Sequence, residues 1–195
     1  MPQKYKCIVA DPPWEVRKIA RHRRPNQVCM DYPTMTVGEI AQLPIRSLAD
    51  EECWLFLWTT QKYLFDARGV LCAWGFNYLC TGTWEKTFGR SAGMPLFGFL
   101  WNIEFYLIGY KRKPELWPSR KLIPLAFSAE NVRHSQKPEI FQDRIESMTP
   151  GPYLELFARR RRPGWDAWGN EVESDIELVP QVQPEQFIPD EPMTI

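Results

Sequence analysis

Histidine is scarce in this sequence, and its cysteines lack the spacing of a metal site. The 195 residues include two histidines and five cysteines, and no two cysteines stand in a Cys-x-x-Cys pair. Structural zinc sites combine such ligands at short, regular spacings, so we expect no metal centre. The cysteines are odd in number and three lie in apolar runs, where a free thiol behaves as a small hydrophobic residue. We expect a reduced, cytoplasmic protein.

Net charge, long apolar segments and targeting signals are also missing. Basic and acidic residues number 24 each, no apolar run is long enough to cross a membrane, and no signal peptide is recognisable. The charges are unevenly distributed, because residues 171–195 hold seven acids and no lysine or arginine. A basic body with an acidic tail can accompany nucleic-acid binding. Nothing in the sequence indicates an oligomer or contact with a membrane.

The length suits one domain with a single core. We place that domain at residues 1–179 and expect residues 180–195, rich in proline and acids, to be disordered. Apolar runs typical of buried strands recur along the domain. Strands are predicted at 4–10, 53–58, 76–83, 104–110, 122–126, 153–158 and 176–179.

Three helices are predicted between these strands. The first opens at a Thr36–Glu39 capping box, and the second runs from a Thr60 cap to Gly75. The third covers residues 138–148 and has an inward face of Ile140, Phe141, Ile145 and Met148. Apolar strands alternating with helices indicate an α/β fold, with a mostly parallel sheet and helices on both faces. Ligands in such folds bind beyond the carboxyl ends of the strands.

Asp-Pro-Pro-Trp, at residues 11–14, directly follows the first predicted strand. Proline fixes φ and removes a backbone donor, so the proline carbonyls and the Asp11 carboxylate form a rigid set of acceptors. Such acceptors suit an exocyclic amine with two N–H bonds, and Trp14 offers a face to a planar base. Accepting both N–H bonds localises the nitrogen lone pair towards an electrophile, as methyl transfer requires. The alternative is a rigid loop with a core tryptophan, and the tetrapeptide alone does not decide between them.

A second unusual stretch, RRRRPGWDAWGNE at residues 159–171, follows the predicted strand at 153–158. If that strand neighbours the first one, the two motifs share a crevice at the edge of the sheet. The alternative for the four arginines is a solvated basic loop, and the alternative for Trp165 and Trp168 is core packing. No glycine-rich phosphate loop is present.

Several motifs stand in a fixed order along the chain: ADPPWEV, DYPTM, CWLFLWTT, HSQKPEIF and TPGPYLELFARRRRPGWDAWGNE. In this order the sequence resembles the adenine-N6 methyltransferases related to the seventy-kilodalton subunit of the messenger-RNA N6-adenosine methyltransferase, over about residues 5–172. The resemblance implies a Rossmann-like methyltransferase fold, S-adenosylmethionine as the methyl donor and no metal. The compact chain is similar to the small prokaryotic and phage members, which mostly act on DNA.

The resemblance also implies the residues that act on the substrate amine. The catalytic tetrapeptide corresponds to Asp11, Pro12, Pro13 and Trp14. Tyr32 matches a family tyrosine on the loop beside the base, although here it precedes a proline where the family usually places proline before tyrosine. The basic stretch with Arg21, Arg23 and Arg24 would then meet the phosphates that flank the target base. The alternative for this stretch is an exposed basic loop.

Cofactor-binding residues follow from the same match. Arg159, Asn170 and Glu171 match the family's cofactor segment, with Asn170 and Glu171 at the ribose, and Arg161 is a further candidate. Lys137, in HSQKP, matches a family signature and would bind the cofactor carboxylate, although a proline at the start of a helix also explains this motif. Asp11 would in addition face the cationic sulfonium. Asn102 and Glu104 occupy another recurring family position.

These observations predict an S-adenosylmethionine-dependent methyltransferase that modifies the N6 amine of adenine in nucleic acid, with DNA preferred over RNA as the substrate. A base inside a duplex is unreachable, so the target is flipped out or single-stranded. One alternative is the same reaction on RNA. The other is a non-catalytic nucleic-acid-binding partner of an active methyltransferase.

Overall fold

The computed structural model describes residues 3–15, 33–87, 101–112, 122–130 and 137–178. In this part of the chain, seven strands form one sheet in the order β5-β3-β4-β2-β1-β6-β7. The strands are β1 (Tyr5–Ala10), β2 (Ala49–Thr59), β3 (Asn77–Thr87), β4 (Ile103–Tyr110), β5 (Ala126–Glu130), β6 (Tyr153–Leu156) and β7 (Trp165–Trp168). β4 runs antiparallel to both of its neighbours, and the other pairs are parallel. The predicted Rossmann-like α/β architecture with a mostly parallel sheet is confirmed.

Helices cover both faces of the sheet, as predicted. The described helices are α1 (Val37–Ala41), α2 (Ile45–Leu48), α3 (Leu64–Ala73), which follows a 3-10 turn at Gln61–Tyr63, and α4 (Glu139–Glu146). Side chains along a strand point alternately to opposite faces. Ile8 of β1 is therefore buried in the core beneath α1 and α3, whereas Val9 is buried in the core beneath α4. None of the described helices is long and apolar enough to cross a membrane.

The centre of the sheet brings distant parts of the chain to one edge. β1 lies between β2 and β6 and is parallel to both, so the segments after these three strands begin side by side. The backbone N–H of Asp11, just after β1, donates to the carbonyl of Leu156 at the end of β6, at 3.4 Å. Because β4 is reversed, its first residues lie at the same edge, with Phe105 opposite Thr59 of β2. The two strands that precede the motifs are neighbours, as predicted, and their shared edge of the sheet forms the candidate crevice.

Several local predictions are confirmed. Thr36 and Glu39 form the complete capping box, with each side chain bonded to the other residue's backbone N–H. Gly75, which ends the second predicted helix, has a φ of 80°, in the left-handed region that favours glycine. Phe141 and Ile145 of α4 are buried.

Other predictions were wrong at the level of single elements. The strand predicted at 122–126 begins only at Ala126, because Pro124 lacks the backbone donor that a strand needs. Ile140 is 47% exposed, and the polar Gln142 is buried in the inward face of α4 instead. The side chain of Thr60 makes no capping bond, since a 3-10 turn rather than an α-helix follows it.

The last part of the sheet was also predicted wrongly. Residues 176–178 form no strand, and Val179, the end of that prediction, lies outside the described residues. The last strand within the described residues is β7, formed by Trp-Asp-Ala-Trp within the basic, glycine-containing stretch. Its alternate residues Trp165 and Ala167 are buried, a two-residue period that is too short to stand out in the sequence.

Candidate active site

The Asp-Pro-Pro-Trp turn is held in place by backbone and indole hydrogen bonds. The backbone N–H of Trp14 donates to the Pro12 carbonyl at 2.8 Å, and the N–H of Met35 donates to the Pro13 carbonyl at 2.9 Å. The Trp14 indole Nε1 donates to the carbonyl of Trp58, in β2, at 3.1 Å. A carbonyl oxygen has two lone pairs, so each proline carbonyl retains one further acceptor position. The turn is a fixed base for the Asp11 carboxylate.

Trp14 lies in the core beneath this turn. Only 6% of the residue is exposed. Its ring stacks on that of Tyr63, with centroids 5.3 Å apart and an angle of 18° between the planes. Trp14 was interpreted either as a face for a planar base or as a core tryptophan. In the structure its ring packs in the core. The indole fixes the turn to β2 and to the segment before α3.

Asp11 meets Lys137 and Glu104 at the carboxyl edge of the sheet. Lys137 lies just before α4, and its Nζ is 2.8 Å from Oδ2 of Asp11 and 3.2 Å from Oε2 of Glu104. Glu104 also pairs with Lys86 of β3. The Lys137 ammonium lies 5.3 Å from the ring centroid of Trp58, a cation–π distance. Two carboxylates and two lysines therefore form one alternating charge network.

The network sets the protonation of its members. Burial raises the pKa of Asp11 above its ordinary value, and the Lys137 ammonium opposes this rise. Burial would lower the pKa of Lys137, but Asp11 and Glu104 raise it overall. Burial would likewise raise the pKa of Glu104, yet Lys137 and Lys86 bring it below the ordinary value. Glu104 and Lys137 are thus held in their charged forms at neutral pH. The charge of each is stabilised by the opposite charge of its partners in the network.

The opposite wall of the crevice comes from the segments after β6 and β7. Phe157 adopts a φ of 62° and turns the chain, so that the Ala158 N–H donates to the Trp168 carbonyl at 2.9 Å. A Cβ on Gly169 would lie 2.2 Å from the Ala158 carbonyl oxygen, so only glycine permits this approach. Arg159 and Glu171 meet as a result, with Nε and Oε1 3.7 Å apart. The Arg159 charge also lowers the pKa of Asp11, the smallest of the influences on that group.

The remaining arginines of the basic stretch pair with acids of this chain. Arg160 pairs with Glu139 of α4. Arg162 lies 2.6 Å from Asp143 and 2.8 Å from Glu146 of the same helix. Arg161 lies 2.6 Å from Asp175 and donates to the Glu173 carbonyl at 2.7 Å. The structure thus places Arg161 against residues 173–175, and its predicted cofactor contact stays a prediction.

Asn170 and Glu171 follow β7 after Gly169, and both are exposed at the crevice edge. Trp165 is buried. Its ring stacks on Tyr153 with centroids 4.7 Å apart, and its indole N–H donates to Glu146 at 2.6 Å. Core packing, the alternative given for Trp165 from the sequence, therefore describes it. Trp168 is partly buried and contacts Phe157 edge to face. Tyr32, Arg21, Arg23 and Arg24 lie outside the described residues.

Two members of the site were not recognised in the sequence. Lys86 ends an alternating stretch of β3 and has no motif around it. Glu155 interrupts the apolar run of β6, and an acid inside such a run is itself a signal that the sequence offered.

Within the described ranges, no group of three or more histidine, cysteine, aspartate or glutamate side chains is placed to hold a metal ion.

Comparison with known proteins agrees with this geometry. A family model described as MT-A70 matches residues 5–171. The type II methyltransferase M.MunI of Mycoplasma sp. is 30% identical over 92% of this chain and 83% of its own length. The human N(6)-adenine-specific methyltransferase METTL4 is 32% identical over 86% of this chain and 37% of its own length. The human N(6)-adenosine-methyltransferase catalytic subunit METTL3 is 29% identical over 92% of this chain and 30% of its own length.

The match spans most of M.MunI but only about a third of METTL4 and METTL3. The residues matched by the family model include the Asp-Pro-Pro-Trp turn, the strands that form the crevice and the segment that ends at Glu171. The expected resemblance over about residues 5–172 is therefore confirmed. The chain belongs to the MT-A70 family of methyltransferases, which includes adenine-N6 methyltransferases.

Proposed function

We propose that this protein transfers the methyl group of S-adenosylmethionine to the exocyclic N6 amine of adenine in DNA. The Asp11 carboxylate carries the proposal, because it is fixed by a rigid turn at the point where the ends of β1, β2 and β6 meet. The relatives whose names specify adenine or adenosine N6 support the amine as the acceptor. The similarity to the type II methyltransferase M.MunI, over 83% of that protein's length, supports DNA.

The charges around the crevice fit this methyl donor. S-adenosylmethionine supplies an electrophilic methyl group on a positively charged sulfur, together with an amino acid end and a ribose diol. Lys137 is the cation that would bind its carboxylate, and Asp11 is the nearby acid for its positive charge. Asn170 and Glu171 lie exposed after β7, where an amide and a carboxylate can bond the two ribose hydroxyls. Arg159, paired with Glu171, would hold that carboxylate in place.

Asp11 and Pro12 position the amine in this proposal. The carboxylate and the second lone pair of the Pro12 carbonyl each accept one N–H bond, so the nitrogen lone pair points away from both and towards the methyl group. As the new N–C bond would form, the methyl–sulfur bond would break and leave its electron pair on the departing neutral sulfur. The nitrogen would become positively charged and then lose one proton. Asp11 stabilises that charge and is the nearest acceptor for the proton, and burial raises its pKa in the direction that favours acceptance.

Substitution of Asp11 tests the assignment. Asp11→Asn keeps the size of the side chain but removes the charge, and we expect methyl transfer from radiolabelled S-adenosylmethionine to fall by about 10²–10³-fold. The matched control is Asp66→Asn, which makes the same change at an exposed position of α3. A variant that melts like the wild type but methylates undiminished would contradict the role of Asp11.

The substrate class needs a separate experiment. The wild type is incubated with labelled donor and with DNA and RNA pools of matched sequence, which are then digested to nucleosides for mass spectrometry. We expect N6-methyldeoxyadenosine. N6-methyladenosine in the RNA pool alone would instead indicate RNA as the substrate. The name of METTL3, an N(6)-adenosine-methyltransferase, supports this alternative. Methylcytosine as the sole product would contradict adenine, and absence of donor binding in calorimetry would indicate a non-catalytic partner.

A further inference from the structure

Glu155 is an acid inside β6, on the same face of the sheet as Asp11. It lies opposite Val9 of β1, two residues before Asp11, and its strand neighbours Leu154 and Leu156 are fully buried on the other face. Adjacent strands are about 4.8 Å apart and alternate residues about 7 Å, so the Glu155 and Asp11 backbones are roughly 8 Å apart. A second carboxyl group therefore lies directly behind the proposed catalytic one.

Gln142 of α4 is the hydrogen-bond partner of Glu155. Its Nε2 donates to Oε2 of Glu155 at 2.6 Å, and Gln142 is only 5% exposed. The other amide atom, Oε1, is buried and has no hydrogen-bond partner within the described residues. A carboxylate needs the amide N–H, whereas a protonated carboxyl group can donate to the amide oxygen after the amide rotates. This pair can therefore accommodate Glu155 in either charge state.

Burial, together with the surrounding charges, brings the pKa of Glu155 close to neutral pH. Burial raises its pKa to about 7, and the negative charge of Asp11 acts in the same direction, while Arg160, Gln142 and Arg162 oppose the rise. Both arginines are paired with acids of α4, which offsets much of their charge. β7 places the uncharged Ala167 opposite Glu155.

We propose that Glu155, held by Gln142, sets the affinity of the crevice for the positively charged methyl donor. Its carboxylate adds a second negative charge behind Asp11, which attracts the sulfonium of S-adenosylmethionine more than the neutral sulfur of the product, S-adenosylhomocysteine. Ionised Glu155 thus favours exchange of product for fresh donor. The inference rests on the proposed function, since it concerns the donor of that reaction.

Calorimetric titration with both ligands, at about pH 6 and about pH 8, on either side of the Glu155 pKa of about 7, tests the inference. For the wild type we expect S-adenosylmethionine to bind about three- to tenfold more tightly at the higher pH, as a unit charge several ångströms away would produce at high effective dielectric. The affinity for S-adenosylhomocysteine should increase less between the two pH values. Glu155→Gln keeps a hydrogen bond to Gln142. In this variant the affinity for S-adenosylmethionine should no longer increase more with pH than the affinity for S-adenosylhomocysteine. Glu52→Gln, the same change at an exposed position of β2, should behave as the wild type.

A second variant separates this role from a structural one. Gln142→Met removes the donor that favours ionised Glu155, so the gain in donor affinity should move to higher pH. If Glu155→Gln and Gln142→Met change only the melting temperature, while the pH profile and the ratio of the two affinities stay as in the wild type, the inference is overturned and the proposed function stands. A wild type that binds neither ligand overturns both.

Discussion

Lys137 is shared by two carboxylates, and its charge is needed by both. Replacing it with methionine leaves Asp11 and Glu104 facing each other without the cation between them. The Lys137 side chain is 18% exposed, so solvent offsets part of the loss. We expect Lys137→Met to lower the free energy of unfolding by about 2 kcal/mol at neutral pH, measured by urea denaturation.

The double variant Lys137→Met with Glu104→Gln provides the control for that prediction. Removing one of the two carboxylates relieves the repulsion that the first substitution creates, so the double variant should lose less stability than the sum of the single variants. Strict additivity of the two losses would show that Lys137 and Glu104 do not interact in solution.

Glu155 predicts a pH dependence of stability whose sign is opposite to that of an ordinary salt-bridged acid. Its pKa is about 7 in the folded protein against 4.5 in the unfolded chain, so the folded state binds the extra proton between these values. Stability that is present below about pH 4.5 is therefore lost as the pH rises through 7, by up to about 3 kcal/mol. Glu155→Gln cannot ionise and should be more stable than the wild type at about pH 8 by a similar amount.

Urea denaturation of both proteins from acidic to mildly alkaline pH would measure this difference. Glu52→Gln is again the control, because Glu52 is exposed and distant from the crevice edge. A difference between Glu155→Gln and the wild type that does not change with pH would mean that Glu155 does not titrate as described.

Single residues were predictable where a motif carried them. Asp11 stands in a tetrapeptide whose rigidity and acceptors point to an amine, and Lys137 stands in a recognisable signature. Glu155 was not predicted, because its closeness to Asp11 depends on the register of β6 against β1. Lys86 reaches the site only through Glu104, a pairing that depends on the reversal of β4. Neither register nor strand direction is written in the local sequence.

At the scale of elements, the β3–β4 pair depends on a glycine. Gly82 lies opposite Tyr106, and a Cβ at position 82 would lie 2.1 Å from Cζ of that ring. The ring cannot move aside freely, because the Tyr106 hydroxyl donates to the Leu125 carbonyl at 2.6 Å. We expect Gly82→Ala to lower the free energy of unfolding by about 1–3 kcal/mol, measured by denaturant titration.

Gly38→Ala is the matched control for that substitution. Gly38 lies in α1 with no atom within 4 Å of the position a Cβ would take. Alanine favours a helix over glycine, so stability should be unchanged or rise by up to about 1 kcal/mol. Equal effects of the two substitutions would show that Tyr106 yields to the added methyl group.

Elements with strong periodicity were predictable, and weak ones were not. The uninterrupted apolar run at Cys53–Trp58 identified β2, although the strand extends beyond it in both directions. β7 was missed because its four residues lie among arginines and glycines, and only tertiary contact with β6 makes them a strand. α4 buries Gln142 in place of Ile140, since the Glu155 carboxyl group offers the glutamine a partner that no helical pattern reveals.

At the scale of the whole molecule, donor binding should stabilise the fold. A ligand at a hundred times its dissociation constant adds about 2.7 kcal/mol to the free energy of unfolding. In a domain of this size that corresponds to a rise in melting temperature of about 5–10 °C. We expect this rise with S-adenosylmethionine for the wild type and for Asp66→Asn, and a smaller one for Asp11→Asn, in a thermal melt. An equal rise for Asp11→Asn would place the donor away from Asp11.

The fold class was predictable because strands and helices alternate and because several family motifs occur in order. The strand order was not, since it depends on which distant segments pair. β1 is an interior strand of the described sheet and pairs with β6, which comes more than a hundred residues later. The reversal of β4, which brings Glu104 to the crevice, depends equally on long-range pairing.

The parallel pairing of β1 with β6 has a consequence for synthesis. β1 (Tyr5–Ala10) is synthesised long before one of its two neighbours in the sheet, which begins only at Tyr153. The edge of β1 on that side therefore stays unpaired while the segment between the two strands is made, a period in which an unpaired strand can associate wrongly. A nascent chain that stops before Tyr153 would contain the Asp-Pro-Pro-Trp sequence but no crevice. The proposed reactive centre therefore assembles only after β6 has been made.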